Sequence, residues 1–197
     1  MLWIIVVVVV AIALLAISLY NRFVQLRNRI DNAWAQVDVV LKRRYDLIPN
    51  LVETVKGYAS HERETFERVV QARNAASAAT TVEQQGQAEN MLTGALRQLF
   101  AVAEAYPELK ADTNFQQLQG ELSATESQIA TARQIYNDTV LNYNNAIQTF
   151  PGVIIAGPFG FSSRGFFEVE EESRAAPKVD FSDMPGREPP PAPPAST

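Results

Sequence analysis

Helix-breaking residues are almost absent from the first 150 positions: nine of the eleven prolines and five of the nine glycines lie beyond them. Only Pro49, Pro107, Gly57, Gly86, Gly94 and Gly120 interrupt that stretch. A stretch so poor in breakers predicts long helices and an all-α fold, while the Pro-rich end cannot be helical. The whole chain of 197 residues has room for one ordinary domain plus appendages.

Leu2 to Leu19 contains no charge and one polar residue, Ser18. At about 1.5 Å per residue it matches the hydrocarbon thickness of a bilayer, so residues 1–20 read as a transmembrane anchor. A cleavable signal would carry a basic leader and a small-residue cleavage site, yet nothing charged precedes the run and Tyr20-Asn21-Arg22 follows it directly. Arg22, Arg27 and Arg29 follow directly, with no basic side chain before the run. That bias predicts a single pass through the cell membrane, with a short external amino terminus and a cytoplasmic body.

Beyond the anchor, Phe23, Leu26, Ile30, Trp34, Val37, Leu41, Tyr45, Ile48, Val52 and Val55 recur every three or four residues, the stripe of one amphipathic helix. The stripe keeps phase through Pro49, which therefore reads as a kink or a restarted turn. A second helix is expected over 60–79 with a thin, alanine-rich face. Thr81 with Gln84 forms a capping-box pattern opening a third, which Pro107 stops. Thr113 with Gln116 suggests the same device for a fourth, whose stripe runs from Phe115 to Phe150 with a 3.5-residue repeat typical of left-handed helix packing. Four helices joined by short turns over 21–150 predict an up-and-down antiparallel four-helix bundle. In it, residue numbers facing each other across the first and fourth helices sum to roughly 172. Asn28 then lies near Asn144, and Arg44 near Glu126.

Chemistry is narrowed by what is missing. There is no cysteine and one histidine, His61, so thiol catalysis and nearly every metal site are removed, and no cofactor is expected. Phosphate-binding loops, nucleophile elbows and dinucleotide fingerprints are absent. The net charge of -5 is concentrated from Glu168 onward, and the near-neutral remainder argues against nucleic-acid binding. No small-molecule substrate is indicated. The basic run Lys42, Arg43, Arg44 beside Asp46 reads either as an anion site or, preferably, as a structural network in which Arg43 or Arg44 reaches Glu126 and Asn50, with Arg133 nearby. Asn21 and Asn28, and likewise Asn137 and Asn144, sit a heptad apart and form an asparagine ladder, read as a device for helix register in preference to a ligand cleft between the first and fourth helices.

Residues 151–167, with Phe150 leading in, are apolar and rich in glycine and proline. Phe150, Ile154, Ile155, Phe159, Phe161, Phe166 and Phe167 stand at the membrane-proximal end, open to three readings: a buttress on the bundle, an interfacial wedge, or a contact with a neighbouring copy. Residues 168–197 form an acidic and then Pro-rich tail, expected to be disordered or extended as polyproline II.

The chain resembles the LemA family over residues 20–167. The resemblance is carried by Tyr20-Asn21, Arg27-Asn28, Ala33-Trp34, the run Leu41-Lys42-Arg43-Arg44-Tyr45-Asp46-Leu47-Ile48-Pro49-Asn50-Leu51-Val52, and Val55-Lys56-Gly57-Tyr58. It continues in Ala103 to Ala111, Asn114-Phe115, Leu118 to Leu122, Thr125-Glu126, Ala132-Arg133-Gln134-Ile135-Tyr136-Asn137 and Tyr143-Asn144. The resemblance implies an amino-terminal anchor and a bundle of the bromodomain-like up-and-down type. One branch of the family belongs to magnetosome membranes, which points to organising membrane rather than to catalysis. The expectation is thus a non-enzymatic homo-oligomer in contact with the lipid bilayer that scaffolds or shapes membrane. The alternative is an adaptor or sensor that recruits a partner protein through the bundle face or the Pro-rich tail.

Overall fold

The computed structural model describes residues 1–168; the tail expected to be disordered or extended lies outside the described residues apart from Glu168. Every regular element among them is helical: α1 (Leu2–Tyr58), α2 (Arg63–Ala78), α3 (Val82–Glu104), α4 (Pro107–Ala111), α5 (Thr113–Gln148) and α6 (Gly152–Ala156).

The anchor and the first body helix, expected as neighbouring segments, are one uninterrupted helix of 57 residues, about 85 Å long. Its apolar leading window, with mean hydropathy 3.2, is long enough to cross a membrane and is not covered by the rest of the chain. Burial begins at Phe23 and continues on one face through Ile30, Val37, Leu41, Ile48, Leu51 and Val55.

The helix does not restart at Pro49 but runs through it without a break, and the backbone group the proline orphans is satisfied from elsewhere. A proline cannot donate to the carbonyl four residues earlier, here that of Tyr45. Arg73 on α2 donates to that oxygen from Nε at 3.1 Å.

α5 lies antiparallel against α1. Trp34 meets Tyr136 with ring centroids 5.2 Å apart, Arg44 meets Glu126 at 3.1 Å, and the Tyr58 hydroxyl donates to Asp112 at 2.9 Å. Each pair sums to 170, close to the register expected from the stripes. α2 packs on α3 through Phe66, Val69, Ala72 and Ala76, the thin face expected of it.

Several boundaries differ from expectation. α2 starts at Arg63 rather than Ser60. Thr81 caps α3 as expected, its hydroxyl accepting from the Gln84 amide at 3.2 Å, but the Gln84 side chain reaches back to Thr80 rather than to Thr81. The fourth-helix cap is Asp112, not Thr113. Its carboxylate accepts from the Phe115 amide at 2.9 Å, and that bond, with the Tyr58 hydroxyl, holds the carboxyl below the usual carboxylate range. Pro107, with its φ suited to a first turn, opens the short α4.

Candidate functional site

Two polar constructions are built into this body. The first is buried where α1, α3 and α5 meet. Arg44, only 4% exposed, donates to Glu89 at 3.0 Å and to the Thr93 hydroxyl at 2.9 Å, and pairs with Glu126 at 3.1 Å. Glu89, 2% exposed, also accepts from the Tyr45 hydroxyl and from Gln85 Nε2, the latter at 3.2 Å. Gln85 Nε2 donates as well to the Tyr45 hydroxyl at 2.7 Å and to the Ala76 carbonyl at 3.1 Å. A charged residue is tolerated in such a place only when its hydrogen-bonding capacity is used. Among the described residues no buried side-chain nitrogen or oxygen lacks a partner.

Burial dominates the titration of this cluster. It pushes the Glu89 carboxyl above its ordinary value against the opposing pull of the Tyr45 hydroxyl, the Arg44 charge and Gln85. Burial, and then the Glu89 charge, also push the Tyr45 phenol far upward, so it remains a donor. A small cleft with Ile129, Ala130 and Arg133 on its wall opens beside Arg44, Glu89, Thr93 and Glu126.

Of the residues named from sequence, Arg44 and Glu126 are brought together and Arg133 lines the same cleft. Arg43, Asp46 and Asn50 are not part of the cluster; all three are exposed. Helical geometry accounts for this. At about 100° per residue, Asp46 points about 200° and Asn50 about 240° around the helix from Arg44. Glu89, Gln85, Thr93 and Tyr45 were missing from the expected network. A glutamate and a glutamine four apart on the core face of the third helix were the available signal.

The second construction lies nearer the anchor. After α6 the chain turns back as an extended strap, residues 161–168, antiparallel to α5. Asn144 bonds the strap backbone twice, Nδ2 to the Arg164 carbonyl at 3.0 Å and Oδ1 from the Arg164 amide at 2.9 Å. One heptad earlier Asn137 does the same to Phe167, at 3.2 and 2.8 Å. Tyr143 and Tyr136 donate to the carbonyls of Ser162 and Gly165 at 3.0 and 3.1 Å. The spacings match: seven helical residues rise about 10.5 Å, and three extended residues span about 10 Å.

The strap is pinned at both ends by aromatic rings. Phe161 packs edge-on against Phe23 at 5.2 Å, with Arg27 over its face at 5.8 Å; the buried Phe167 packs against Trp34 at 5.5 Å. The strap ends so close to α3 that a Cβ on Gly86 would lie 2.3 Å from the Glu168 carbonyl oxygen.

The asparagine ladder is therefore half of what was expected, and of another kind. Asn21 and Asn28 are exposed, and Asn144 does not face Asn28 as a partner, since both ends of its amide are taken by the strap. The apolar segment likewise divides. Gly152, Ala156, Phe161 and Phe167 are buried, Ile155 is half-buried, and Phe150, Ile154, Phe159 and Phe166 are exposed.

A family model described as the LemA family matches residues 33–181. The chain belongs to the LemA family. Among curated relatives it is 28% identical to Protein LemA of Metamycoplasma hominis, over 83% of this chain and 74% of that protein. It is 26% identical to Magnetosome protein MamQ 2 of Paramagnetospirillum magneticum, over 81% of this chain and 68% of that protein. Magnetosome protein MamQ of Magnetospirillum gryphiswaldense is also 26% identical, over 75% and 64%. The apolar leading helix and these relatives agree with a LemA-type membrane protein.

Proposed function

We propose that this LemA-family chain is a single-pass, non-enzymatic membrane protein. Its helices form an up-and-down four-helix bundle on the cytoplasmic face, where copies self-associate and scaffold or shape the membrane. The observation that carries this reading is the unbroken α1, which is bare and apolar up to Leu19 and a core element of the body from Phe23 onward. Two neighbouring facts support it. Arg22, Arg27 and Arg29 favour a cytoplasmic body, and relatives of similar reach are named as magnetosome proteins. The non-catalytic reading is supported by the chemistry of the buried cluster, where Arg44, Tyr45, Gln85 and Glu89 are engaged with one another, leaving no group poised to attack or to move a proton.

Extraction in a mild detergent followed by electron microscopy tests the reading. Particles holding several copies are expected; monodisperse single copies over a range of concentrations refute self-association.

The adaptor reading has one observation in its favour. The strap fixes the start of the tail beside Gly86 on α3, so the tail departs from the body rather than from the membrane surface. Partners captured by the full chain and lost on deletion of residues 175–197 would favour it.

A further inference from the structure

Twelve consecutive residues, Phe150 to Phe161, carry no charged or hydrogen-bonding side chain. They do not all pack inward. Gly152 faces the body so closely that a Cβ there would lie 2.1 Å from the Ala146 carbonyl oxygen, and Ala156 and Phe161 are buried beside it. Facing outward are Phe150, 80% exposed, Val153, Ile154 at 63% and Phe159 at 59%. An apolar cluster of this kind needs a cover.

Its position says which cover. Tyr20, the residue that ends the apolar run of α1, lies edge-on to Phe159 at 5.4 Å and to Phe161 at 5.5 Å. Tyrosine at the end of a spanning helix sits at headgroup level, so Phe159 lies at the same height. The charges at this end fit a lipid surface. Between Tyr20 and Ile30 there are three arginines, Arg22, Arg27 and Arg29, and neither that stretch nor the one from Thr139 to Ser163 carries a carboxylate. Clustered basic side chains beside an apolar insertion are what anionic headgroups attract.

We propose that Phe150, Val153, Ile154 and Phe159 form a wedge that enters the leaflet from which α1 emerges, its depth set by the surrounding arginines. This rests on the reading of Leu2 to Leu19 as a membrane span. Given that span, lipid reaches the cluster in every copy at any protein concentration, whereas a second copy must first be recruited. The chain then meets the bilayer twice, through both leaflets at α1 and through one leaflet at the wedge. One-sided insertion adds area to that leaflet alone, which gives the proposed shaping of membrane a physical means.

The chain has no cysteine, so single spin labels can be placed cleanly. Phe150→Cys, Ile154→Cys and Phe159→Cys would each be labelled with a nitroxide in the full chain, in vesicles of phosphatidylcholine and phosphatidylglycerol. Val9→Cys reports the span. Met91→Cys serves as an exposed apolar site on α3, beside the Arg44 cluster and about 36 Å along α1 from Tyr20. Power-saturation electron paramagnetic resonance then compares access of oxygen with access of a water-soluble nickel chelate. The oxygen-to-nickel ratio is expected to be severalfold higher at the three wedge positions than at Met91. Ready access of nickel to the wedge labels overturns the proposal. So does exclusion of both agents with spin–spin broadening that vanishes on dilution with unlabelled protein, because that outcome assigns the cluster to a second copy. A label at Val9 that reads as aqueous refutes the span itself, an outcome distinct from a lipid-embedded Val9 with a water-exposed wedge.

Discussion

Burial disfavours the charged form of Glu89 more than the Tyr45 hydroxyl, Arg44 and Gln85 favour it, and Glu89 and Arg44 differ sharply from Glu126 in what their removal does. Arg44→Met leaves a buried carboxylate without its cation and is expected to cost about 3–5 kcal/mol. Glu126→Gln loses a partner whose side chain is 53% exposed, and is expected to cost no more than about 1 kcal/mol. Chemical denaturation of the two variants checks the contrast. Because the folded state holds the Glu89 proton more tightly than the unfolded chain does, this residue's contribution is complete below the ordinary value of 4.5 and is lost as pH rises through the raised folded value. Melting curves across that window should show the natural protein losing stability relative to Glu89→Gln as pH rises; the opposite slope would mean that the Tyr45 hydroxyl, Arg44 and Gln85 together outweigh burial. The Tyr45 carbonyl offers a separate test. Arg73→Leu is expected to cost about 1–3 kcal/mol by orphaning it. The cost should shrink in a Pro49→Ala background, where an amide returns to take the acceptor, and a double-mutant cycle measures the difference.

At the scale of elements, the strap is the part most open to perturbation without harm to the rest. Asn137→Ala with Asn144→Ala removes four hydrogen bonds to its backbone, each contributing about 1 kcal/mol. Hydrogen exchange at Arg164 and Phe167 should rise by orders of magnitude while the α1–α5 core keeps its protection. Unchanged exchange there would show that Phe161 and Phe167 alone hold the strap. The sequence showed α1 and α5 through their stripes and predicted their register to within two residues of the Arg44–Glu126 pairing. It did not show the strap. Periodicity reports only which face of a helix is covered, and the same asparagine spacing serves a neighbouring helix or an extended chain. Glu89 was hidden for a related reason: a charged residue on a helix is presumed to face water, and only the third dimension reveals that Arg44, Tyr45 and Gln85 converge on it. The stripe did show that the helix carries on in phase through Pro49, but not that Arg73 arrives from another helix to take the Tyr45 carbonyl.

For the molecule as a whole, the proposed orientation in the bilayer rests on three arginines. Replacing Arg22, Arg27 and Arg29 with Gln while adding lysines ahead of Leu2 is expected to invert the chain. Protease protection in inside-out and right-side-out vesicles would show the body exposed on the opposite side; an unchanged pattern would mean that the folded body, not the charge bias, decides. The unbroken helix from Leu2 to Tyr58 has a mechanical corollary. In the proposed single-pass arrangement there is no swivel at the water boundary, so the body would not lean without tipping its own root, and a sideways push would be felt as torque among the acyl chains. A crowd of such stiff posts would share a common lean and transmit the local slope of the sheet to one another.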